Sequence, residues 1–187
     1  MPRRALLWAQ RILLAGGILM LGYCGFVLLD TWIFQRQESA ALERFAPQHV
    51  DLAAVVPDGL IGRMEVVRLG VTVMVVEGTS DKTLRRAVGH IAGTALPGQI
   101  GNVGIAGHRD TFFRPLRNIR ADDIILLSTL RGEYRYRVVS TRIVSPDNIS
   151  VLDSDSHEVL TLVTCYPFYF LGSAPDRFIV RAERITG

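Results

Sequence analysis

The chain carries one long apolar run near its N-terminus, and beyond it short apolar and polar stretches alternate. Residues 12–29 contain no charged side chain and follow a further apolar stretch at residues 5–9. A helix needs about 20 apolar residues to cross the hydrocarbon core of a bilayer. The pattern therefore predicts one N-terminal transmembrane helix.

The charges on either side of this run predict its orientation. Arg3, Arg4 and Arg11 precede it, and Asp30 follows it. Basic flanks stay in the cytoplasm, so we expect the rest of the chain on the other side of the membrane. A cleaved signal peptide is the competing interpretation. We favour an uncleaved anchor because the run exceeds the usual apolar region of a signal peptide, and residues 35–41 offer only a weak cleavage site.

Beyond residue 60 the apolar positions recur with the short period of β-strands. Residues 134–139, for example, alternate aromatic or apolar side chains with polar ones, as a half-buried strand does. Seven candidate strands follow from this pattern: residues 61–68, 71–76, 103–106, 124–128, 134–144, 159–164 and 178–184. So many short strands with few helices are typical of a closed β-barrel or a sandwich.

Helix signals are few outside the N-terminal run. Residues 33–45 can form a helix that Pro47 would stop, within a stalk that extends to about Pro57. Ser80 can cap a short helix over residues 81–88 that Gly89 would end, and residues 110–118 can add a helical turn. We therefore expect an anchor over residues 1–30, a stalk over 31–58 and a mainly β domain over 59–187.

Charge and cysteine content narrow the possible functions. The formal net charge is +3, but the basic residues are scattered, which argues against binding to nucleic acid. Cys24 lies inside the apolar run, so Cys165 is alone in the external domain and has no disulfide partner there. Such a thiol is either incidental and buried or kept for its reactivity. No Cys/His cluster has the spacing of metal ligands, so we expect no metal or other cofactor.

Cys165 lies at the end of a predicted strand, where a side chain reaches the rim of a barrel. Residues 166–168 break this strand, and another begins near Arg177. If the two strands pair as a hairpin, Arg177 faces Cys165 across the mouth of the loop. Its guanidinium could then donate hydrogen bonds to an oxyanion and favour the thiolate. An exposed strand arginine without such a role is the alternative.

The external domain has several histidines, and one of them is placed to pair with the thiol. His49 lies in the stalk, His157 lies in a polar run, and His90 follows the short predicted helix, where it can hydrogen-bond locally. His108 instead ends an apolar strand directly after Gly107, which permits a close backbone approach. A Cys–His pair must be close in space, not in sequence, so His108 is the best candidate. A structural role is its alternative.

Three short motifs resemble those of one protein family, and they occur in the order and with the spacing found in that family. The run Thr161-Leu162-Val163-Thr164-Cys165 resembles the TLxTC motif of sortases, and Gly107-His108-Arg109 resembles the segment that holds their catalytic histidine. Arg177, twelve positions after Cys165, resembles the catalytic arginine of sortases in its spacing from the cysteine. The surrounding sequence is most similar to class D sortases, over about residues 61–185. The resemblance implies an eight-stranded β-barrel with one or two short helices, in which the segment 61–68 would supply two strands.

The resemblance also implies a function. The enzyme would bind an LPxT-like sorting signal near the C-terminus of a secreted protein, and Cys165 would form a thioester with it. His108 would act as acid and base, Arg177 would stabilise the oxyanion, and Thr164 would either support the site or simply pack. An amine of the cell envelope would then take the acyl group. The anchor would hold the catalytic domain on the extracytoplasmic side of the cell membrane, beside its substrates.

Three alternative functions remain. Two of them are enzymes that would also use a cysteine nucleophile, and the third needs no catalytic residue. A cysteine peptidase would only hydrolyse the signal. The aromatic side chains in residues 166–176 do not distinguish transfer from hydrolysis, because they could either shield a thioester from water or pack beneath the loop. An L,D-transpeptidase would carry an SHGC-like run, which this sequence lacks. A non-catalytic anchored β-domain would leave the thiol inert.

Overall fold

The N-terminal helix is continuous and far longer than its apolar part. A computed structural model describes residues 3–45, 59–170 and 172–185. Helix α1 spans Arg3–Phe45, so the helix predicted over residues 33–45 is the direct continuation of the apolar run. Within it, Leu7–Asp30 has a mean hydropathy of 2.3 over its most apolar window. By length and composition this stretch can cross a membrane, and its side chains over residues 7–29 are exposed.

Eight strands close into a barrel. They are β1 (Leu60–Val66), β2 (Val71–Glu77), β3 (Val88–His90), β4 (Gly101–Ala106), β5 (Ile124–Thr129), β6 (Gly132–Val144), β7 (Glu158–Tyr166) and β8 (Asp176–Arg184). Their order around the barrel is β1-β2-β3-β4-β7-β8-β6-β5, and β5 pairs with β1 to close it. The pairs β2–β3 and β4–β7 are parallel, and the other neighbours are antiparallel. The predicted eight-stranded barrel is confirmed.

The position predicted for the eighth strand is wrong. Residues 61–68 supply a single strand, β1, and the missing strand is β3, which begins at the last residue of the helix predicted over residues 81–88 and continues through its predicted cap, Gly89. Helix α2 spans only Asp81–Arg86, and the chain is already extended at Ala87. Gly89 does not cap that helix. A Cβ at this position would lie 2.2 Å from the carbonyl oxygen of Gly78, so glycine is required there by the close approach of two backbones.

The other predicted helical signals have their expected form. Ser80 caps α2 by accepting a hydrogen bond from the backbone N–H of Thr83 at 3.2 Å. A 3₁₀ helix over Arg114–Asn118 provides the predicted turn, with proline near its start. Two further 3₁₀ helices are Val67–Leu69, between β1 and β2, and Ile149–Leu152, in the connection from β6 to β7. Arg86, the last residue of α2, donates two hydrogen bonds of 2.9 and 3.1 Å to Asp30 of α1.

Alternating side chains of the strands fill the barrel. Large fully buried members of the core include Met64, Ile105, Ile125, Leu160 and Leu162. Because side chains alternate between the two faces of a strand, the even-numbered positions of β7 pack inside, and Thr161, Val163 and Cys165 belong to the other face. The barrel therefore provides a rigid support and presents one row of β7 side chains away from the core.

Tyr136 is the largest fully buried side chain and brings a polar group into this core. Its hydroxyl donates a hydrogen bond to Glu158 at the start of β7. Burial, together with the neighbouring Glu158 carboxylate, raises the pKa of Tyr136. Glu158 also accepts a hydrogen bond from the backbone N–H of Gly98 at 2.9 Å, so the Tyr136 hydroxyl and the Glu158 carboxylate are both paired.

Candidate active site

The three sequence-predicted catalytic side chains lie at one end of the barrel, Cys165 and Arg177 on two neighbouring strands and His108 two residues beyond the end of a third. Strand β7 is in the middle, with β4 parallel on one side and β8 antiparallel on the other. Cys165 pairs directly with Arg177 across β7 and β8. Ala106 pairs with Val163 across β4 and β7, so His108 and Cys165 each follow that pair by two positions. The structure therefore brings all three residues to the same rim.

Backbone contacts fix the segment that carries His108. The N–H of Gly107 donates to the carbonyl of Val163 at 3.1 Å, which extends the β4–β7 ladder by one bond. The carbonyl of His108 accepts from the N–H of Phe113 at 3.1 Å. A Cβ at Gly107 would lie 2.7 Å from the ring of Phe113. The close approach expected of this glycine is confirmed, because no larger residue fits under that ring.

Thr164 completes this attachment through its hydroxyl. Its side chain is 3% exposed, and its Oγ1 donates a 2.7 Å hydrogen bond to the carbonyl oxygen of Gly107. The bond joins β7, next to Cys165, to the residue before His108. Of the two possibilities left open by the sequence, support through the hydroxyl and simple packing, the geometry favours support.

The side chains of Cys165, His108 and Arg177 are half-buried. Cys165 is a free thiol. Arg177 donates from Nη1 to the carbonyl of Asp176 at 3.0 Å and to that of Ala174 at 3.4 Å, which orients one edge of the guanidinium. Its remaining N–H groups can donate to a ligand at the rim. His108 is half-buried as well, so its imidazole is reachable from solvent.

The other histidines are separate from this site. His90 belongs to β3 and is buried, with Nδ1 2.8 Å from a Glu77 carboxylate oxygen and Nε2 2.9 Å from the Ala95 carbonyl. His157 is exposed. The position of His49 lies outside the described residues. Within the part of the chain that the structure describes, no three His, Cys, Asp or Glu side chains are grouped so as to hold a metal ion.

A groove lies on the outer face of the sheet formed by β6, β7 and β8. It has a volume of about 290 Å³ and is lined by β6, β7, β8 and the connection that contains Ile149–Leu152. Thr161 and Arg181 form a cross-strand pair in it, and Ile179 pairs with Val163 one step nearer to Cys165. Because alternate residues share a face, Cys165 and Arg177 continue this row at the rim.

Sequence reasoning missed the residue that supports the wall of this groove. Asn102 of β4 is 2% exposed and donates from Nδ2 to the carbonyls of Val151 and Asp153, at 3.0 and 3.2 Å. Its Oδ1 accepts from the hydroxyl of Thr161 at 2.7 Å. A lone amide in an apolar strand was the available signal, because a buried polar side chain needs partners.

The loop between β7 and β8 has an inner and an outer face. Tyr166 and Phe168 pack with Phe178, with ring centroids 5.3–6.4 Å apart. Tyr169 is 73% exposed and Phe170 is 45% exposed. From the sequence, these aromatic side chains could either pack beneath the loop or shield the thioester from water. In the structure, some of them form an inner cluster and the others lie on the outer surface.

A second residue that sequence reasoning missed connects this loop to the histidine segment. Arg109, next to His108, donates to the carbonyls of Pro167, Phe170 and Gly172 at 3.0, 2.7 and 3.1 Å. The Gly107-His108-Arg109 motif includes this arginine but does not reveal its role, since the acceptors are backbone atoms of a distant segment.

A closed barrel with a cysteine at a strand end, an arginine opposite and a histidine on the adjacent segment is the framework of a cysteine-dependent enzyme. A family model described as Sortase domain matches residues 64–185. The chain therefore belongs to the sortase family, and it is a sortase-type cysteine transpeptidase. The interpretations as an L,D-transpeptidase or a non-catalytic domain are thereby set aside.

Individual relatives support this assignment over most of the chain. The chain is 31% identical to sortase D of Bacillus subtilis over 190 aligned positions, covering 93% of this chain and 96% of that protein. A solved sortase D5 transpeptidase of Clostridium perfringens superposes with a TM-score of 0.68 at 28% identity, covering 80% and 98% of the two chains. Sortase A from Corynebacterium diphtheriae gives a TM-score of 0.66 at 27% identity, covering 71% and 63%.

The Thr164 hydroxyl gives a test of how the site is held. We expect Thr164→Val to lower the free energy of unfolding by about 1–2 kcal/mol, because the buried Gly107 carbonyl loses its donor while side-chain shape is kept. Urea unfolding would measure this. Thr72→Val, at an exposed position of β2, is the control and should change stability by less than about 0.5 kcal/mol. Equal stability of the Thr164 variant and the native protein would contradict the proposed support.

Proposed function

We propose that this sortase is anchored in the membrane and cleaves an LPxT-like signal of secreted proteins through a thioester on Cys165. An amine of the cell envelope then receives the acyl group. The observation that carries the proposal is the register at the rim, where Cys165 lies between Arg177 on β8 and the His108 segment after β4. Sortases act on sorting-signal substrates, and the finer assignments below rest on this chain's residues.

The first half of the reaction forms the acyl-enzyme. The Cys165 thiolate attacks the carbonyl carbon of the scissile Thr–Gly or Thr–Ala bond, and its sulfur electron pair becomes the new C–S bond. Arg177 donates hydrogen bonds to the oxyanion that develops on the carbonyl oxygen. His108 gives a proton to the leaving nitrogen as the C–N bond breaks. The product is a thioester, and the C-terminal part of the signal leaves as an amine.

The second half regenerates the thiolate. An incoming amine attacks the thioester carbonyl, and His108 takes the proton that this amine loses. Arg177 stabilises the second oxyanion in the same position. When the C–S bond breaks, its electron pair returns to Cys165 and a new peptide bond remains. Arg177 and His108 thus act in both halves, which agrees with their positions on opposite sides of Cys165.

The groove on β7 and β8 fits the size and chemistry of an extended signal peptide. Five extended residues span about 16 Å, and the four-residue step from Thr161 to Cys165 covers about 13 Å of the same strand. Val151 and Ile179 line the groove with apolar side chains, and Ser140 and Ser150 line it with hydroxyl groups. We therefore place the signal along β7, with its scissile carbonyl at Cys165.

The membrane anchor is supported by α1 and by its contact with the catalytic domain. One apolar stretch, Leu7–Asp30, is compatible with a single crossing, and sortases are membrane-associated. The ion pair between Asp30 and Arg86 connects the outer end of this stretch to α2 of the barrel. This contact would keep the barrel beside the membrane in which its substrates emerge.

The orientation of α1 can be tested directly. A reporter that is active only outside the cytoplasm, fused after Gly187, should be active, because three arginines precede the apolar run and an aspartate follows it. A parallel fusion to a reporter that is active only in the cytoplasm should be silent. Activity of the second fusion alone would reverse the proposed topology.

Substitution of the three rim residues tests their roles. Cys165→Ala should abolish turnover and leave the fold intact, since the change is small and the site lies at the rim. His108→Ala should lower kcat/KM by about 100-fold or more, as loss of an acid–base group does. Arg177→Lys should also lower it by about 100-fold, because lysine keeps the charge but loses the planar fork.

An arginine elsewhere in the barrel provides the matched control for the last variant. Arg137 is exposed on β6, and Arg137→Lys should retain activity close to that of the native enzyme. All variants would be assayed with a fluorogenic LPxT-like peptide, and their folding would be checked by thermal unfolding. A nearly native rate for Arg177→Lys would contradict the oxyanion role.

Product analysis separates transfer from simple hydrolysis. Both reactions share the acyl-enzyme, so the Cys165 variant alone does not distinguish them. A transferase must hold the amine near the thioester, and well-oriented groups reach effective molarities of about 10⁵ M or more, which outweighs the concentration of water. We expect added glycine peptide to divert product from acid to amide in a saturable way, as measured by mass spectrometry. Acid as the sole product across several acceptor types would favour the peptidase instead.

A further inference from the structure

Arg109 is the residue whose contacts extend furthest beyond the three rim groups. It directly follows His108, and its guanidinium donates to three carbonyls of the loop between β7 and β8. We propose that Arg109 is a positioning residue that holds this loop as one wall of the acceptor-amine site. It would thereby set the fraction of acyl-enzyme that is resolved by an amine and not by water. This inference rests on the proposed transpeptidation.

The planar guanidinium of Arg109 is surrounded by backbone carbonyl oxygens of the loop. One N–H group of Nη1 reaches the carbonyl of Pro167, and Nη2 reaches those of Phe170 and Gly172. A planar guanidinium with several donors can bind three acceptors at once, which an ammonium group at the same position does less well. The loop is thus folded around one side chain. Within the described residues of this loop, these are the hydrogen bonds that join its middle to another segment.

Arg109 holds the half of the loop that the apolar cluster does not reach. Phe168 packs inward against Phe178, whereas Phe170 is 45% exposed and lies over Arg109, with 5.9 Å from Cζ to the ring centroid. The inner aromatics therefore stabilise the start of the loop without Arg109. Loss of the guanidinium would release the carbonyls of Phe170 and Gly172 in the outer part of the loop.

The loop lies on the opposite side of Cys165 from the peptide groove. The groove is lined by Thr161, four positions before Cys165 on β7, whereas the loop follows Tyr166, the last residue of β7 and the one after Cys165. Arg109 contacts the loop and does not line the groove. Binding of the signal and formation of the thioester should thus depend little on Arg109. Capture of the thioester by an amine depends on how well that amine is held, whereas water needs no such site.

The test compares two arginines that differ in what they hold. Arg109→Gln removes the fork, and Arg117→Gln is its matched control. Arg117 lies over the ring of the exposed Tyr169 at 5.4 Å and, among the described residues of the loop, donates to no carbonyl. Both variants would be made in the full-length protein in detergent. Rapid-quench measurement of leaving-peptide release gives the rate of thioester formation, and the amide-to-acid ratio at fixed, subsaturating glycine peptide gives the partitioning.

The expected result is a separation of the two steps. Arg109→Gln should lower the amide-to-acid ratio about tenfold while thioester formation changes less than about threefold, because proximity is lost only for the amine. The KM of Arg109→Gln for the amine should rise, and its KM for the signal peptide should remain unchanged. Arg109→Lys should recover part of the ratio, since the ammonium can still bind one or two carbonyls. Arg117→Gln should keep the native ratio.

Several outcomes would overturn the inference. An unchanged ratio in Arg109→Gln, or an equal loss of both steps, would reduce Arg109 to a residue of general structural importance. If Arg109→Gln does not fold, Arg109→Lys is tested in its place. A native amide-to-acid ratio and a native KM for the amine in Arg109→Lys would then contradict the positioning role of Arg109. If the native enzyme forms no thioester or yields acid alone, the proposed function fails first, and the role of Arg109 fails with it.

Discussion

The parallel pairing of β4 with β7 is the contact on which the arrangement at the rim depends. It aligns Ala106 with Val163, so the chain after β4 runs beside Cys165. One more backbone bond at Gly107 and the hydroxyl of Thr164, 57 residues later in the chain, fix the approach of the His108 segment. If this register slipped by one residue, every β7 side chain would change face, and the cysteine would point into the core.

The barrel and the rim divide the tasks of rigidity and chemistry. Closing the sheet leaves no free edge, and the buried side chains hold β7 and both of its neighbours in place. Cys165, His108 and Arg177 lie where strands end, so they stay half-buried and accessible while their backbones are fixed. Gly107 is part of the same design, since the ring of Phe113 occupies the space that a side chain would need.

The two substrates of a transferase require two approaches to one sulfur atom, and the structure offers two different surfaces. The groove on the outer face of β7 and β8 is supported by Asn102, which holds the connection containing Ile149–Leu152. The loop beyond Cys165 is supported by Arg109. In each case one buried or partly buried side chain from the β4 region binds backbone carbonyls of a distant loop. We infer that β4 organises both surfaces as well as the histidine segment.

The sequence by itself determined the apolar helix and seven of the strands, and it indicated the hairpin in which Cys165 faces Arg177. These features are local: a long apolar run, period-two alternation and a hairpin between adjacent strands each leave a pattern in neighbouring residues. Only the tertiary structure decided the position of β3, since three residues are too few to show alternation. It also decided the parallel β4–β7 pair and the carbonyl contacts of Asn102 and Arg109. Such contacts join segments far apart in the chain through backbone atoms, which carry no side-chain signature.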